Sequence, residues 1–339
     1  MSANGRYDLS SEHVRQMDTI TVQQRLKDLQ RSSNDYHDQK QSPLFSSILP
    51  EIRNQIFALA VTQYDDLSAA YHLDTSYRRP GNLAPKKTCT ALLSTCKRAY
   101  NEAWFMPWAN QELVFYFTTR ETRPAEITGP LVTTTRGPVD YVLSSQLVQI
   151  YESRGRVDEI GHVQLYVDVW VLEVLDRAFA TFFCDVPLFY PQRMAITIRH
   201  TDWADWKVNR PLRICGTWIK EARLPNSVRE VCVEFESTTR RQYQVDTLSD
   251  KAAALWYFER KDGALLVADA EEKTVMRWTG SSIWDQQRWH RHESRPFEID
   301  YYVRTISFKI RSGWSKEDVA DHDQSATLQF IHGHDARND

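Results

Sequence analysis

Glycine is scarce in this chain, 11 among 339 residues. That leaves little material for loops that cradle phosphates, and neither a G-x-G-x-x-G run nor a Walker loop occurs. The G-x-S-x-G elbow of serine hydrolases and the H-E-x-x-H helix of zinc proteases are missing too. Cysteine is equally sparse. Cys89, Cys96, Cys184, Cys215 and Cys232 are odd in number and scattered, with no C-x-x-C pair. This argues against a disulfide framework or a structural zinc site and fits small buried hydrophobes in a reducing compartment. No apolar run approaches the ~18 residues of a membrane-spanning helix. The opening MSANGRYDLSSEH has no basic stretch leading into an apolar one, so no signal peptide is expected, and a cytoplasmic or nuclear location is. An excess of one charge sign is lacking as well. The formal net charge is −3 with 26% charged residues, so bulk electrostatics points to neither nucleic acid nor membrane.

What is present is apolar material, 42% of the chain, enough for one large core or two modest ones. Residues 1–42 read as a flexible polar segment with a short amphipathic stretch, Val22, Leu26 and Leu29, behind a capping box of Thr21 and Gln24. The segment PLFSSILPEIRNQIFALAV follows. Pro50 suits the first helical position, where its missing N–H has no intrahelical partner. Glu51 complements the helix dipole. Ile52, Ile56 and Leu59 share one face while Arg53, Asn54 and Gln55 fall on the other, predicting a helix over about 50–61. Residues 63–87 read as a loop or insertion. A second helix is expected over about 88–104, with Leu92, Cys96, Ala99 and Ala103 inward, and then a buried strand over 113–117.

Beyond a Thr/Pro/Gly-rich stretch at 118–138 the pattern changes. Four segments alternate with period two: Val163–Trp170, Arg193–Arg199, Arg229–Glu236 and Arg304–Ile310. Helix-like stretches stand between the first three, at 171–183 and 211–223, and another at 138–152 precedes them. Strands alternating with helices imply parallel β-α units, yet clean alternation implies that one face of the sheet stays wet. An irregular, leucine-rich-repeat-like curved sheet with helices on one face reconciles the two. Near the C-terminus, Lys261-Asp262-Gly263 predicts a hairpin, and 274–278 with 286–291 continue it as an antiparallel meander. The fold class is therefore α+β, with a helical module over 43–117, a β-α recognition domain over 138–312 and a polar tail over 313–339.

Two motifs carry a family resemblance. Leu49-Pro50-Glu51-Ile52-Arg53 followed by Ile56 resembles the opening of fungal F-box-like proteins, including the group with a Glu-x-Arg signature. Leu93-Ser-Thr-Cys96-Lys-Arg-Ala-Tyr100-Asn-Glu102-Ala103 resembles the second signature of that group, and a weaker similarity runs through Leu224–Val228 and Trp278–Gly280. The resemblance implies a helical adaptor-binding module followed by a variable recognition domain. In such proteins the Leu-Pro start and the apolar helix face dock onto the Skp-type adaptor of a cullin–RING ubiquitin ligase. Carried over, the docking residues are Leu49, Pro50, Ile52, Ile56 and Leu59. The 63–87 insertion departs from a compact F-box. The plainer reading of the same face is core of its own domain, so exposure of Ile52, Ile56 and Leu59 discriminates between the two.

Chemistry-bearing clusters are few. His290-Arg-His292-Glu293 offers two imidazoles and a carboxylate, with both histidines on one face if the segment is a strand, but no third protein ligand accompanies them. His332-Gly-His334-Asp335 lies in the tail. Asp202 and Asp205 suggest an acid–base pair, but a loop with packed aromatics is the favoured reading of Asp-Trp-Ala-Asp-Trp. No cofactor, no catalytic residue and no nucleic-acid or membrane partner is expected. The expected partner surface is instead the wet sheet face, where Tyr166, Asp168, Trp170, Arg193, Arg199 and Glu234 stand together as a place for an unidentified protein substrate. The sequence thus supports a protein-binding adaptor, in its specific form the substrate-recognition subunit of a ubiquitin ligase. The alternative is a non-catalytic scaffold with no ligase role.

Overall fold

The computed structural model describes residues 37–119, 122–124, 161–174, 191–208, 210–284, 286–311, 313–319, 322, 324 and 326–329. The amphipathic stretch at 21–29, the helix expected over 138–152 and the His332/His334 cluster lie outside them, as does most of 171–183.

The chain begins with short helices. α1 (Pro43–Ser46) leads into α2 (Pro50–Ala60), which starts at Pro50 as expected. The expected second helix is broken. Residues 86–88 form strand β2 (Lys86–Thr88), paired antiparallel with β1 (Gln63–Asp65), and a 3₁₀ turn spans Ala91–Ser94. Only then does α3 (Lys97–Ala103) run, capped by the Cys96 thiol, which accepts from Ala99 N at 3.4 Å. α4 (Met106–Ala109) closes the group. Phe57 and Val61 of the α2 end bury completely against Ala99, Ala103, Trp104, Phe105 and Met106. Burying a side chain the size of Phe57 contributes about 1.5–3 kcal/mol, so this small cluster depends on a few such contacts.

The rest is one curled, half-barrel sheet of seven strands. They are β3 (Glu112–Phe117), β4 (His162–Val167), β5 (Arg193–Ile198), β7 (Glu230–Thr238), β8 (Tyr257–Glu259), β9 (Leu265–Ser281) and β12 (Glu298–Ile310), in spatial order β3-β4-β5-β7-β12-β9-β8. β3, β4, β5 and β7 are parallel. β12, β9 and β8 continue the sheet antiparallel, with a bulge in the β12–β9 pairing between Ile306 and Phe308. The architecture is mixed α+β with few helices, and only its parallel half follows the β-α rhythm.

The alternating apolar sets fall on one face as expected. Val163, Leu165 and Val167, Met194, Ile196 and Ile198, Val231, Val233 and Phe235, and Ile306 and Phe308 enter one core with the indoles of Trp203, Trp218 and Trp256. α7 (Gln242–Leu255) covers this face through Val245, Leu248 and Ala252. The sheet anchors it in turn: Tyr302 Oη donates to Asp246 Oδ1 at 2.7 Å, and Arg304 reaches Asp246 and Asp250, each at 2.8 Å. The 211–223 stretch, expected as one helix, is strand β6 (Arg213–Cys215) followed by α6 (Thr217–Glu221). The tail beyond 312 is expected to be loose, yet its described residues pack: Val319 is buried, and β13 (Thr327–Gln329) pairs with β6. The Asp-Gly hairpin joins β8 to β9, with Gly263 at φ +85°. Beyond it β9 is a single strand of 17 residues, followed by a small hairpin of β10 (Ile283–Trp284) and β11 (Gln287–Arg288).

Candidate functional site: an exposed helix stripe and a cavity at the strand ends

The first feature is the outer face of α2. Leu49, Ile52, Ile56 and Leu59 are 66%, 47%, 38% and 77% exposed, and Pro50 is exposed beside them. Their spacing puts the four aliphatics on one stripe about 15 Å long, at 1.5 Å of rise per residue. The helix thus departs from the plainer reading of that face as core, and this exposure is what the docking reading expects. Its buried face carries Phe57 and, unexpectedly, Arg53, only 5% exposed.

Arg53 tolerates burial because its donors find acceptors. Nε and Nη2 bind Glu102 Oε2 and Oε1 at 2.5 and 3.2 Å, and Nη1 donates to the Ile48 carbonyl at 3.1 Å. Glu102 also accepts from Arg98 Nε at 3.0 Å. The two signature motifs are therefore joined by one bidentate ion pair. Satisfying Arg53 inward is what turns the aliphatic stripe outward.

The second feature replaces the expected wet sheet face, which is covered. The 63–88 segment lies across it, and Arg79, 5% exposed in its side chain, reaches Glu234 Oε2 at 3.0 Å and Glu236 Oε2 at 3.4 Å. Gln164 Nε2 donates to Thr197 Oγ1 at 2.8 Å, which donates to Glu234 Oε2 at 2.7 Å. Asn82 Nδ2 reaches Tyr116 Oη at 3.2 Å, and Tyr116 stacks on Tyr166. The partner surface inferred from the sequence is corrected accordingly. Tyr166 and Arg199 are buried, and Glu234 is spent on Arg79 and Thr197. Arg193 pairs with Glu230 at the start of β5. Asp168 and Trp170 are not on a strand: Asp168 precedes α5 (Val169–Val174) and accepts from Trp170 N at 2.8 Å. Trp170 alone of the set is an exposed aromatic, 51%, and it stands apart from the rest.

Where this covered face meets the carboxyl ends of β5 and β7, a cavity of about 540 Å³ remains. Arg79, Arg199, His200, Thr201 and Glu236 line it on the sheet side. Trp278, stacked on Tyr301 at 4.1 Å, forms an aromatic wall, and exposed Leu73 and Phe297 stand at its rim. Glu236 Oε1 accepts from His200 N at 3.4 Å, and Oε2 accepts from Trp278 Nε1 at 3.2 Å. Burial raises the Glu236 carboxyl above its ordinary range against the pull of Arg79. Burial, with His292 and Arg241 nearby, holds His200 well below the usual imidazole value, so it is neutral. Tyr301 is pushed well above the phenol range by burial and by Glu236.

Asp202 and Asp205 are no acid–base pair. Asp202 is fully buried and grips Arg199 at 2.7 and 2.9 Å, while Asp205 pairs with Arg210. His290 and His292 lie in a 3₁₀ turn, not on a strand. His292 packs against His200 with ring centroids 4.9 Å apart, and Glu293 binds Arg288. Among the described residues no group of three or more His, Cys, Asp or Glu could hold a metal ion, and Cys89, Cys96 and Cys232 carry free thiols. No described helix is long and apolar enough to cross a membrane. The sequence reading missed the cavity because its floor is Arg199-His200-Thr201, three consecutive residues whose roles depend on segments far away in the chain. No family model, curated protein or solved structure matches the chain.

Proposed function

We propose that the chain is a protein-binding adaptor and not an enzyme, and that α2 docks it onto a Skp-type adaptor of a cullin–RING ubiquitin ligase. The observation that carries the reading is the exposure of Leu49, Ile52, Ile56 and Leu59 along one stripe. The helix buries Phe57 in its own small core while leaving this stripe outside, and a contiguous apolar patch left in water marks an interaction site more often than an accident. The resemblance to F-box-like proteins names the occupant, because the same residues match the docking positions of that family. The Arg53–Glu102 pair supports the reading further, since it fixes the orientation in which the stripe faces outward.

The test is a pull-down and titration of the purified chain with a fungal Skp-type adaptor, comparing wild type with an Ile52→Glu/Leu59→Glu variant. Both positions are exposed, so the fold should survive. Two central anchors at about 2 kcal/mol each predict a loss of affinity of at least ~100-fold. Failure of folded wild type to bind removes the ligase and leaves a scaffold that acts through another partner.

A further inference from the structure

The cavity at the carboxyl ends of β5 and β7 contains more hydrogen-bonding capacity than the protein itself uses. Three consecutive residues beyond β5 line it with buried polar atoms that have no hydrogen-bond partner: Arg199 Nη1, His200 Nε2 and Thr201 Oγ1. These residues are 1%, 1% and 6% exposed, so bulk water does not compensate them. Arg199 uses its other edge on Asp202 and the Thr122 carbonyl and is held over the Tyr166 ring at 5.1 Å. Its Nη1 is thus a fixed cationic donor. His200 Nδ1 faces Ser237 Oγ at 3.3 Å, and the tautomer that accepts there carries its hydrogen on Nε2, a second donor. The Thr201 hydroxyl supplies a third.

Unpartnered donors on three residues that line one cavity call for an acceptor oxygen. The lining charges narrow it further. Arg79 is matched by Glu234 and Glu236, and Arg199 by Asp202. Arg78, whose buried Nε lacks a partner, adds a cation, while Asp74, which accepts from Ser281 Oγ, and Glu298, which pairs with Arg295, add carboxylates. A doubly charged phosphate would meet Glu236 and Asp74 with little net positive charge to hold it. A single carboxylate carries half that charge, and the three unpartnered donors can hold it by hydrogen bonds without a surplus of positive charge. The Trp278–Tyr301 wall and rim residues Leu73 and Phe297 suit an apolar or aromatic body, and about 540 Å³ is the size of a small-ligand site. Open sheets with parallel strands bind ligands beyond the carboxyl ends of those strands.

We propose that this cavity binds a single carboxylate carried on an apolar or aromatic body, either a small organic acid or the C-terminal end of a peptide, with Arg199, His200 and Thr201 as the oxygen-binding groups. The proposal stands independently of docking through α2. It is tested on the full chain by following tryptophan fluorescence, since Trp278 and Trp284 line the cavity. The probes are 1-naphthoate, 1-naphthylmethanol and 1-naphthylmethylamine, and a hexapeptide ending in Phe as the free acid and as the C-terminal amide. The expected result is saturable one-to-one binding of naphthoate or of the peptide acid, at least about tenfold tighter than their uncharged counterparts. Preference for naphthoate identifies a free acid, and preference for the peptide acid identifies a chain end. Arg199→Gln risks the fold, so Thr201→Val is the informative variant, with an expected weakening of about fivefold or more and an unchanged melting temperature. The proposal is overturned if neither carboxylate saturates at millimolar concentration, if the alcohol, amine or amide binds as tightly, or if folded Thr201→Val binds undiminished.

Discussion

The burial of Arg79 on the sheet carries a stability consequence whose pH dependence is distinctive. Replacing Arg79 with Met keeps the stem packed but removes the cation facing Glu234 and Glu236. Glu236 is 2% exposed, so its carboxylate would remain buried with only Trp278 Nε1 and His200 N to hold it. Removing one partner of a buried ion pair costs about 3–5 kcal/mol, because an uncompensated charge is left behind. The partly exposed Glu234 places the expected loss near the lower end, about 3 kcal/mol. Glu236 already titrates above its ordinary value through burial, and loss of Arg79 moves it further the same way. A carboxyl whose folded pKa is raised contributes stability that is present below the unfolded value and lost as pH rises through the folded one. The Arg79→Met penalty should therefore be full at about pH 7.5 and smaller at about pH 5.5, where protonation relieves the stranded charge. Urea unfolding of both proteins at the two pH values measures this. Adding Glu236→Gln to Arg79→Met should recover more than about 1 kcal/mol at the higher pH, as a double-mutant cycle would register. A penalty below about 1 kcal/mol, or one equal at both pH values, refutes the buried-charge account and would mean that the 63–88 segment does not hold the sheet through this pair.

Two other positions yield predictions. A Cβ at Gly216 would sit 1.9 Å from the Gln324 carbonyl oxygen and 2.8 Å from Trp256 Nε1, so Gly216→Ala should cost about 1–3 kcal/mol and free β13 from β6, read as faster amide exchange over 327–329. Asp168 is pushed up to about 7 by burial, with Asp202 nearby. The protein should lose stability as pH rises from about 4 to 7 through this group, Asp168→Asn should flatten that slope, and the side-chain carboxyl should titrate near 7 by carbon NMR.

How much of this was legible in the sequence depends on what each signal reports. Period-two alternation located β4, β5, β7 and the end of β12 and identified their core sides, because an apolar residue in register with apolar neighbours has one stable destination. The same pattern places Tyr166, Arg199 and Glu234 in water, and there it misleads. Alternation reports polarity, not solvation. A polar side chain can be buried whenever another segment brings it a partner, and here the partner of Glu234 is Arg79, 155 residues away in the chain. α2 presents the converse case. Pro50 marked its start through local physics alone, but its orientation hangs on Arg53 meeting Glu102, 49 residues later. Local sequence leaves the aliphatic face open between core and docking surface, and the meeting of Arg53 with Glu102 decides it. α7 was missed although Val245, Leu248 and Ala252 share a face, because its mean hydropathy is low and its remaining positions are polar. For Glu234 and Arg53 alike, residue type points to water and the partner points to the interior. The stripe and the cavity follow from that inversion. Burying Arg53 leaves aliphatics outside, where they can dock, and burying Arg199 on Asp202 and the Thr122 carbonyl leaves one of its amino groups without an acceptor, where a ligand oxygen can complete it.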